Sequence, residues 1–98
     1  MDITLTHENN ENQLIIQGCL DTLAAPEFEE ALSKIPAGEP LVIDFKGVEF
    51  IASSGLRILV RAKRQREAAG GSLALQNLND VVQEVFDMTG LVEEFEIR

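Results

Sequence analysis

The sequence predicts one α/β domain over residues 1–98, with a mixed β-sheet that carries helices in the order β-β-α-β-α-β-α-β. Short β-branched apolar runs alternate with longer segments whose apolar residues recur every three or four positions. The strand–helix–strand units require parallel neighbours joined by right-handed crossovers, whereas the first two strands lie close enough in sequence to pair antiparallel. No internal repeat or linker divides the chain, so one sheet is expected.

A hairpin opens the chain. ITLTHE (3–8) alternates in the manner of a half-buried strand, and LIIQGCL (14–20) is a more continuous apolar strand. The polar stretch ENNENQ (8–13) between them is typical of a turn. Cys19 is expected to be a small buried apolar residue of the second strand.

The first helix is predicted within DTLAAPEFEEALSKI (21–35), and PAGEP (36–40) ends it. Thr22 or a residue soon after it is expected to cap the helix, with Pro26 tolerated in the first turn. The predicted buried stripe has helical spacing and consists of Phe28, Ala31, Leu32 and Ile35.

Three strands and two helices are predicted for the rest of the chain. LVIDF (41–45) is typical of a strand covered on both faces, SLALQNL (72–78) of another strand, and 92–97 of a short last strand. One helix is predicted from Ser53 or Ser54 to about Ala69, before two glycines. The other is predicted from a capping box at Asp80–Gln83 to Gly90, with an apolar side of Val81, Val82, Val85 and Phe86.

The composition narrows the function classes. Seventeen acidic against eight basic residues give a net charge of −9, which disfavours nucleic acids and anionic membranes as partners. No apolar run approaches the roughly 18–20 residues of a bilayer span, and the N-terminus lacks a signal-peptide pattern. We therefore expect a cytoplasmic protein without membrane insertion.

The residue inventory disfavours catalysis. The segment Ala52–Gly55 lacks the first glycine of a nucleophile elbow, and His7 is the only histidine available for a triad. No phosphate-binding P-loop and no metal-ligand spacing is present. We expect neither an enzyme nor a cofactor.

The segment Ser53-Ser54-Gly55 stands at the start of the second predicted helix. One serine is expected to be the N-cap, and the other would remain exposed at the positive end of the helix. Such an end stabilises a phosphate, and Arg57, one turn later, is near enough to pair with it.

Five of the eight basic residues fall between Arg57 and Arg66. On an ideal helix Arg57, Arg61 and Arg64 share an arc of about 60°. Such a stripe is most simply a solvated helix face, but the serines on the same helix favour a docking surface.

The chain resembles a STAS domain and, within that family, the bacterial anti-sigma factor antagonists. FIASSGLR (50–57) is similar to the family's phosphorylation segment, and LVIDF is similar to its central strand. The other matching segments are Gly18–Asp21, Gly70-Gly71 and Val85–Leu91.

The resemblance implies a phosphorylation switch. The unmodified protein would bind an anti-sigma factor that is a GHKL-type serine kinase, so that the sigma factor is released. The kinase would then phosphorylate Ser53, with Ser54 as the alternative acceptor, and a PP2C-type phosphatase would reset the protein. The partner surface implied comprises Asp21, Ser53, Ser54, Gly55, Arg57 and Arg61.

Two departures from the family pattern keep alternatives open. Ala52 replaces a residue that is often acidic or polar in the family, and the sequence stops at Arg98, where many relatives carry another helix. One alternative is a STAS scaffold subunit of a transport or signalling complex that is not phosphorylated. The other is a module that senses a small ligand or nucleotide at the same helix end.

Overall fold

A computed structural model describes residues 1–98 and confirms the predicted order of strands and helices. The strands are β1 (Asp2–Glu8), β2 (Glu11–Leu20), β3 (Pro40–Ile51), β4 (Ser72–Gln76) and β5 (Glu96–Ile97). The helices are α1 (Ala25–Ser33), α2 (Ser53–Ala68) and α3 (Asp80–Thr89), and a 3₁₀ turn spans Leu91–Glu93. The predicted last strand, 92–97, is therefore shorter than expected, because the 3₁₀ turn takes its first two residues and β5 begins only at Glu96.

The five strands lie in the order β1-β2-β3-β4-β5. β1 pairs antiparallel with β2, and the remaining neighbours are parallel. The two-residue hairpin loop works because Asn9 and Asn10 adopt positive φ angles of 54° and 63°, as a turn matched to the strand twist requires. Each parallel crossover advances one strand in the same direction, so right-handed connections place all three helices on one face.

The main core fills the space between that face and the helices. Strand residues of one parity, such as Leu14, Ile43 and Leu75, are fully or almost fully buried there. From the helices, Phe28, Leu59 and Phe86 are completely buried against them. Val42 points to the opposite face and is only 1% exposed, so β3 is covered on both sides at this point, as its apolar run predicts.

β3 is longer than predicted because it continues through two irregularities. Its residues 41–51 pair with the shorter stretch 12–20 of β2, with register shifts after Ile15 and after Gly18. Each shift leaves an additional residue on β3, which increases local twist and re-aims the side chains that follow. As a result Cys19 and Phe50, which are paired across the two strands, are both exposed. The prediction of a buried Cys19 is wrong for this reason.

The cap of α1 falls soon after Thr22, as predicted, but without a capping side chain, and the predicted capping box of α3 is wrong. In α1 the cap position is Ala24, whose side chain accepts nothing, and the Asp21 carboxylate instead accepts from the Ala24 N–H at 2.9 Å. In α3 the cap is Asn79, whose Oδ1 accepts from the Val82 N–H at 3.0 Å, so Asp80 is already inside the helix. Asn79 also donates to three carbonyls of β3, which fixes this helix start to the sheet.

Arg66 is not part of an exposed basic stripe. It is 3% exposed, and its guanidinium donates to the carbonyls of Ile35, Pro36 and Glu39, at 3.2, 3.0 and 3.3 Å respectively. Burial lowers the pKa of Arg66 below its ordinary value, and the nearby Glu39 carboxylate raises it in part. This arginine ties the loop before β3 to the end of α2.

Candidate functional site

The ends of β2 and β3 bring the candidate residues together. Leu20 and Ile51 are partners across these strands, and the Ala52 N–H donates to the Leu20 carbonyl at 2.9 Å. The loop after β2, which contains Asp21, therefore lies beside the start of α2, which contains Ser53. Segments more than thirty residues apart in sequence form one rim of the sheet.

Asp21 shapes this loop from within. Its carboxylate accepts from Ala24 N–H, and its backbone carbonyl accepts from Ala25 N–H at 3.0 Å. The side chain is half-buried, so its first role is to hold the loop in place. The loop then presents Leu23, which is 91% exposed.

Ala52, and not a serine, is the N-cap of α2. Ala52 is extended, with φ −89° and ψ 165°, and makes no side-chain hydrogen bond to the helix. Ser53 and Ser54 are the first two helical residues, so the predicted serine cap is wrong. Because no capping oxygen is present, the first amides of a 16-residue helix have no side-chain acceptor from this position.

The two serines differ in their surroundings. Ser53 is exposed, and its hydroxyl makes no hydrogen bond to another protein group. Ser54 is half-buried, and its Oγ lies 3.4 Å from the Thr22 hydroxyl in the neighbouring loop. The hydroxyl of Ser53 is thus the accessible one, and that of Ser54 helps to join α2 to the loop.

Gly55 allows α2 to start this close to β2. A Cβ at this position would lie 2.7 Å from Leu20 Cγ and 2.9 Å from its Cδ2. Leu20 is completely buried and cannot move freely. The glycine is therefore required by close packing at the helix start.

The basic residues of α2 form the rim of a cleft. Arg57, Arg61 and Arg64 are exposed and border, with Ser53 at one end, a cleft of about 440 Å³. Arg61 also pairs with Glu29 of α1, at 3.0 Å between Nη1 and Oε2. Arg57 and Arg64 have no ion-pair partner within 4.0 Å.

The sequence interpretation missed two exposed apolar side chains at this end of the sheet. Leu23 lies in the loop after β2, and Phe50, 50% exposed, lies at the end of β3. The exposure of Leu23 could have been predicted, because this leucine lies after the second strand and before the apolar stripe of the first helix. Phe50 carried no such signal, because its orientation depends on the irregular pairing of β3.

Two further features of the structure concern metal ligands and membrane-spanning helices. No three His, Cys, Asp or Glu side chains converge as metal ligands. None of the helices combines the length and the apolar character that a membrane span needs. The fold and the site define a class of small, single-sheet α/β domains with an exposed serine at a helix start.

The chain belongs to the STAS domain family. The family profile described as "Mlab, STAS domain" matches residues 3–96, nearly the whole chain. This finding confirms the family resemblance that the motifs indicated.

A curated relative and two solved proteins illustrate the family. The anti-sigma-B factor antagonist of Bacillus subtilis is 35% identical over 100 residues, which cover 99% of this chain and 92% of that protein. The crystal structure of an anti-sigma factor antagonist from Mycobacterium paratuberculosis has a TM-score of 0.88 at 24% identity, covering 98% of this chain and 83% of its own.

The antagonist SpoIIAA has the same fold. Its unphosphorylated form has a TM-score of 0.82 at 22% identity, covering 99% of this chain and 88% of SpoIIAA. The phosphorylated form of the Bacillus protein has a TM-score of 0.74 at 23% identity, covering 99% and 91%.

Proposed function

We propose that this protein is a cytoplasmic anti-sigma factor antagonist that binds an anti-sigma factor serine kinase, and that phosphorylation of Ser53 ends this binding. The observation that carries the proposal is the exposed, unbonded hydroxyl of Ser53 at the first position of α2. The family membership and the name of the Bacillus subtilis relative, an anti-sigma-B factor antagonist, support an anti-sigma factor as the partner.

The geometry favours Ser53 over Ser54 as the phosphate acceptor. A kinase must bring the γ-phosphorus of ATP in line with the attacking hydroxyl oxygen, which requires open space around it. Ser53 is exposed, whereas Ser54 is half-buried and 3.4 Å from Thr22 Oγ1. Phosphorylation of Ser54 would require this contact to open first.

The start of α2 can accommodate the phosphate. Its first amides face no capping side chain, because Ala52 supplies none, and the helix dipole favours negative charge at this end. Arg57 follows four residues later and has no other ion-pair partner. Ala52 therefore does not weaken the phosphate site through its lack of a carboxylate, and it removes a group that would compete for the amides.

The charge and bulk of a phosphate on Ser53 would end binding to the kinase. The kinase transfers the γ-phosphoryl group of ATP to Ser53 Oγ, the P–O bond to ADP breaks, and the hydroxyl proton passes to a base of the kinase. The product adds about −1.5 to −2 charges at a surface that the unmodified protein uses for docking. The added charge and bulk raise the dissociation rate, and hydrolysis by a PP2C-type phosphatase restores the hydroxyl.

The proposal is tested with the GHKL-type anti-sigma factor kinases encoded in the same genome. Each is mixed with wild-type protein and ATP, and the modified residue is identified by mass spectrometry. We expect one phosphate, on Ser53, in the wild type and in Ser54→Ala, and none in Ser53→Ala. Absence of phosphate at Ser53 with every kinase would refute the phosphorylation step.

The same material separates the alternatives. Ser53→Asp is expected to bind the kinase more weakly than Ser53→Ala. Equal binding of the two variants would favour a scaffold that is not switched. Thermal stabilisation of the isolated protein by a nucleotide, lost in Arg57→Ala, would favour a nucleotide sensor.

A further inference from the structure

The cleft beside α2 combines an apolar floor with a cationic rim. Leu56, Val60 and Leu91 supply the apolar surface, and Leu91 belongs to the 3₁₀ turn that faces the helix. The rim carries Arg57, Arg61 and Arg64. The cleft starts at Ser53, and the twelve residues from Ser53 to Arg64 extend about 16 Å along the helix axis.

The charge of this cleft is opposite to that of the rest of the molecule. The chain has 17 acidic and eight basic residues, yet no carboxylate lines the cleft and three arginines do. Only Arg61 has a counter-ion, the exposed Glu29 of α1. Two guanidinium groups on an acidic protein thus remain available to a partner.

From this arrangement we infer that the cleft binds an acidic segment of the partner kinase. An apolar side chain of that segment, flanked by two of the segment's carboxylates, packs on the floor of the cleft. The inference rests on the proposed function and adds the chemistry of the contact. Arg57 and Arg64 are seven residues apart, or about 10.5 Å along the axis, which matches carboxylates two turns apart on a partner helix. Guanidinium groups pair with carboxylates through two parallel hydrogen bonds, so the contact also fixes orientation.

The negative charge of the surrounding surface helps to orient an acidic partner on this cleft. An acidic segment is repelled by most of a surface with a net charge of −9 and attracted by this cleft. Docking in the cleft brings the partner to Ser53, because Ser53 lines the same space. Recognition and modification would then share one continuous surface.

Charge reversal far from the phosphate acceptor tests the inference. In Arg64→Glu we expect the Kd for the kinase to rise at least about fivefold at low salt, because rim charges steer and orient association. At about 1 M salt the Debye length falls to about 3 Å, and the difference should shrink below about twofold. The matched control is Lys46→Glu, which reverses another exposed, unpaired cation outside the cleft and should change the Kd less than twofold.

A zero-length cross-link tests contact directly. Arg64→Lys keeps the positive charge and introduces an amine that a carbodiimide can couple to a carboxylate. Mass spectrometry of the coupled complex should show an amide between residue 64 and an Asp or Glu of the kinase, and none from Lys46. Thermal midpoints equal to wild type would show that both variants fold normally.

The outcomes separate this inference from the proposed function. If wild type binds the kinase but Arg64→Glu binds equally well and no cross-link forms, the inference is wrong and the proposed function stands. If no kinase binds the wild type, both are wrong. Sedimentation should show the isolated protein as a monomer, and a dimer that Arg64→Glu dissolves would assign the cleft to a second copy and overturn the inference.

Discussion

Replacing Arg66 by methionine tests whether a buried guanidinium holds the loop before β3 in place. Methionine keeps a long apolar stem and removes the charged group. The native side chain is 3% exposed and donates to three carbonyls, of Ile35, Pro36 and Glu39. Of these hydrogen bonds only the one to Ile35 is fully buried, and the other two are partly buried.

The expected loss follows from these contacts. A hydrogen bond to a charged group contributes about 1.5–3 kcal/mol, and leaving a buried carbonyl unpaired costs about 1–3 kcal/mol. Water can replace the guanidinium at Pro36 and Glu39, which are exposed, but less readily at the buried Ile35. Removing the desolvated charge returns part of the loss, since burial lowers the pKa of Arg66. We expect the free energy of unfolding to fall by about 2–3 kcal/mol.

Urea denaturation and thermal melting measure this loss. For a domain of this size 1 kcal/mol corresponds to about 4–8 °C, so the melting temperature should fall by roughly 10–20 °C. The control is Arg64→Met, which removes an exposed arginine two residues earlier in α2 and should change stability by under about 0.5 kcal/mol. Equal stability of Arg66→Met and wild type would refute the assignment of Arg66 as a structural tie.

Three further substitutions, the first with Asp80→Ala as its matched control, test local geometry by urea denaturation. Asn79→Ala should lower the free energy of unfolding by about 2 kcal/mol, because it removes the cap of α3 and the hydrogen bonds of that cap to β3. Asp80→Ala should lower it by under about 1 kcal/mol. Similar losses in the two variants would favour the predicted capping box at Asp80. Gly55→Ala should lower the free energy of unfolding by about 1–2 kcal/mol, because the cost of overpacking against Leu20 exceeds the gain in helix propensity. A stabilised variant would contradict this close contact. Gly71→Ala should lose about 3 kcal/mol, because its Cβ would overlap the backbone carbonyl of Ala37, and a loss below about 1 kcal/mol would show that the loop yields.

The helix starts show where local sequence reasoning reaches its limit. The region of each start was predictable, because serine, asparagine and aspartate favour it. The capping residue itself was not predictable. Ala52 and Asn79 occupy the cap positions because of where β3 and β4 end and how the chain leaves each strand. Ser53 was predicted as the phosphate acceptor, and its exposed, unbonded hydroxyl now supports that proposal.

Burial of single residues shows the same limit. Cys19 was predicted to be a core residue from its type and neighbours, and Arg66 was counted among the basic residues of a helix segment expected to be solvated or to form a docking surface. Each has the opposite environment, because β3 shifts its register beside Cys19 and three loop carbonyls converge on Arg66. A sequence pattern predicts which side of an element faces the core, but not which distant groups arrive there.

The sequence by itself determined the order of strands and helices, the single sheet, the acidic surface and the serines at the start of α2. These features depend on short-range periodicity and composition, which a single chain displays directly. Only the tertiary structure decided that the Ser53 hydroxyl is unbonded while that of Ser54 lies beside Thr22, that Arg66 is buried, and that Leu91 lines a cleft beside the arginines of α2. These depend on contacts between segments far apart in the chain, and such contacts are settled by packing.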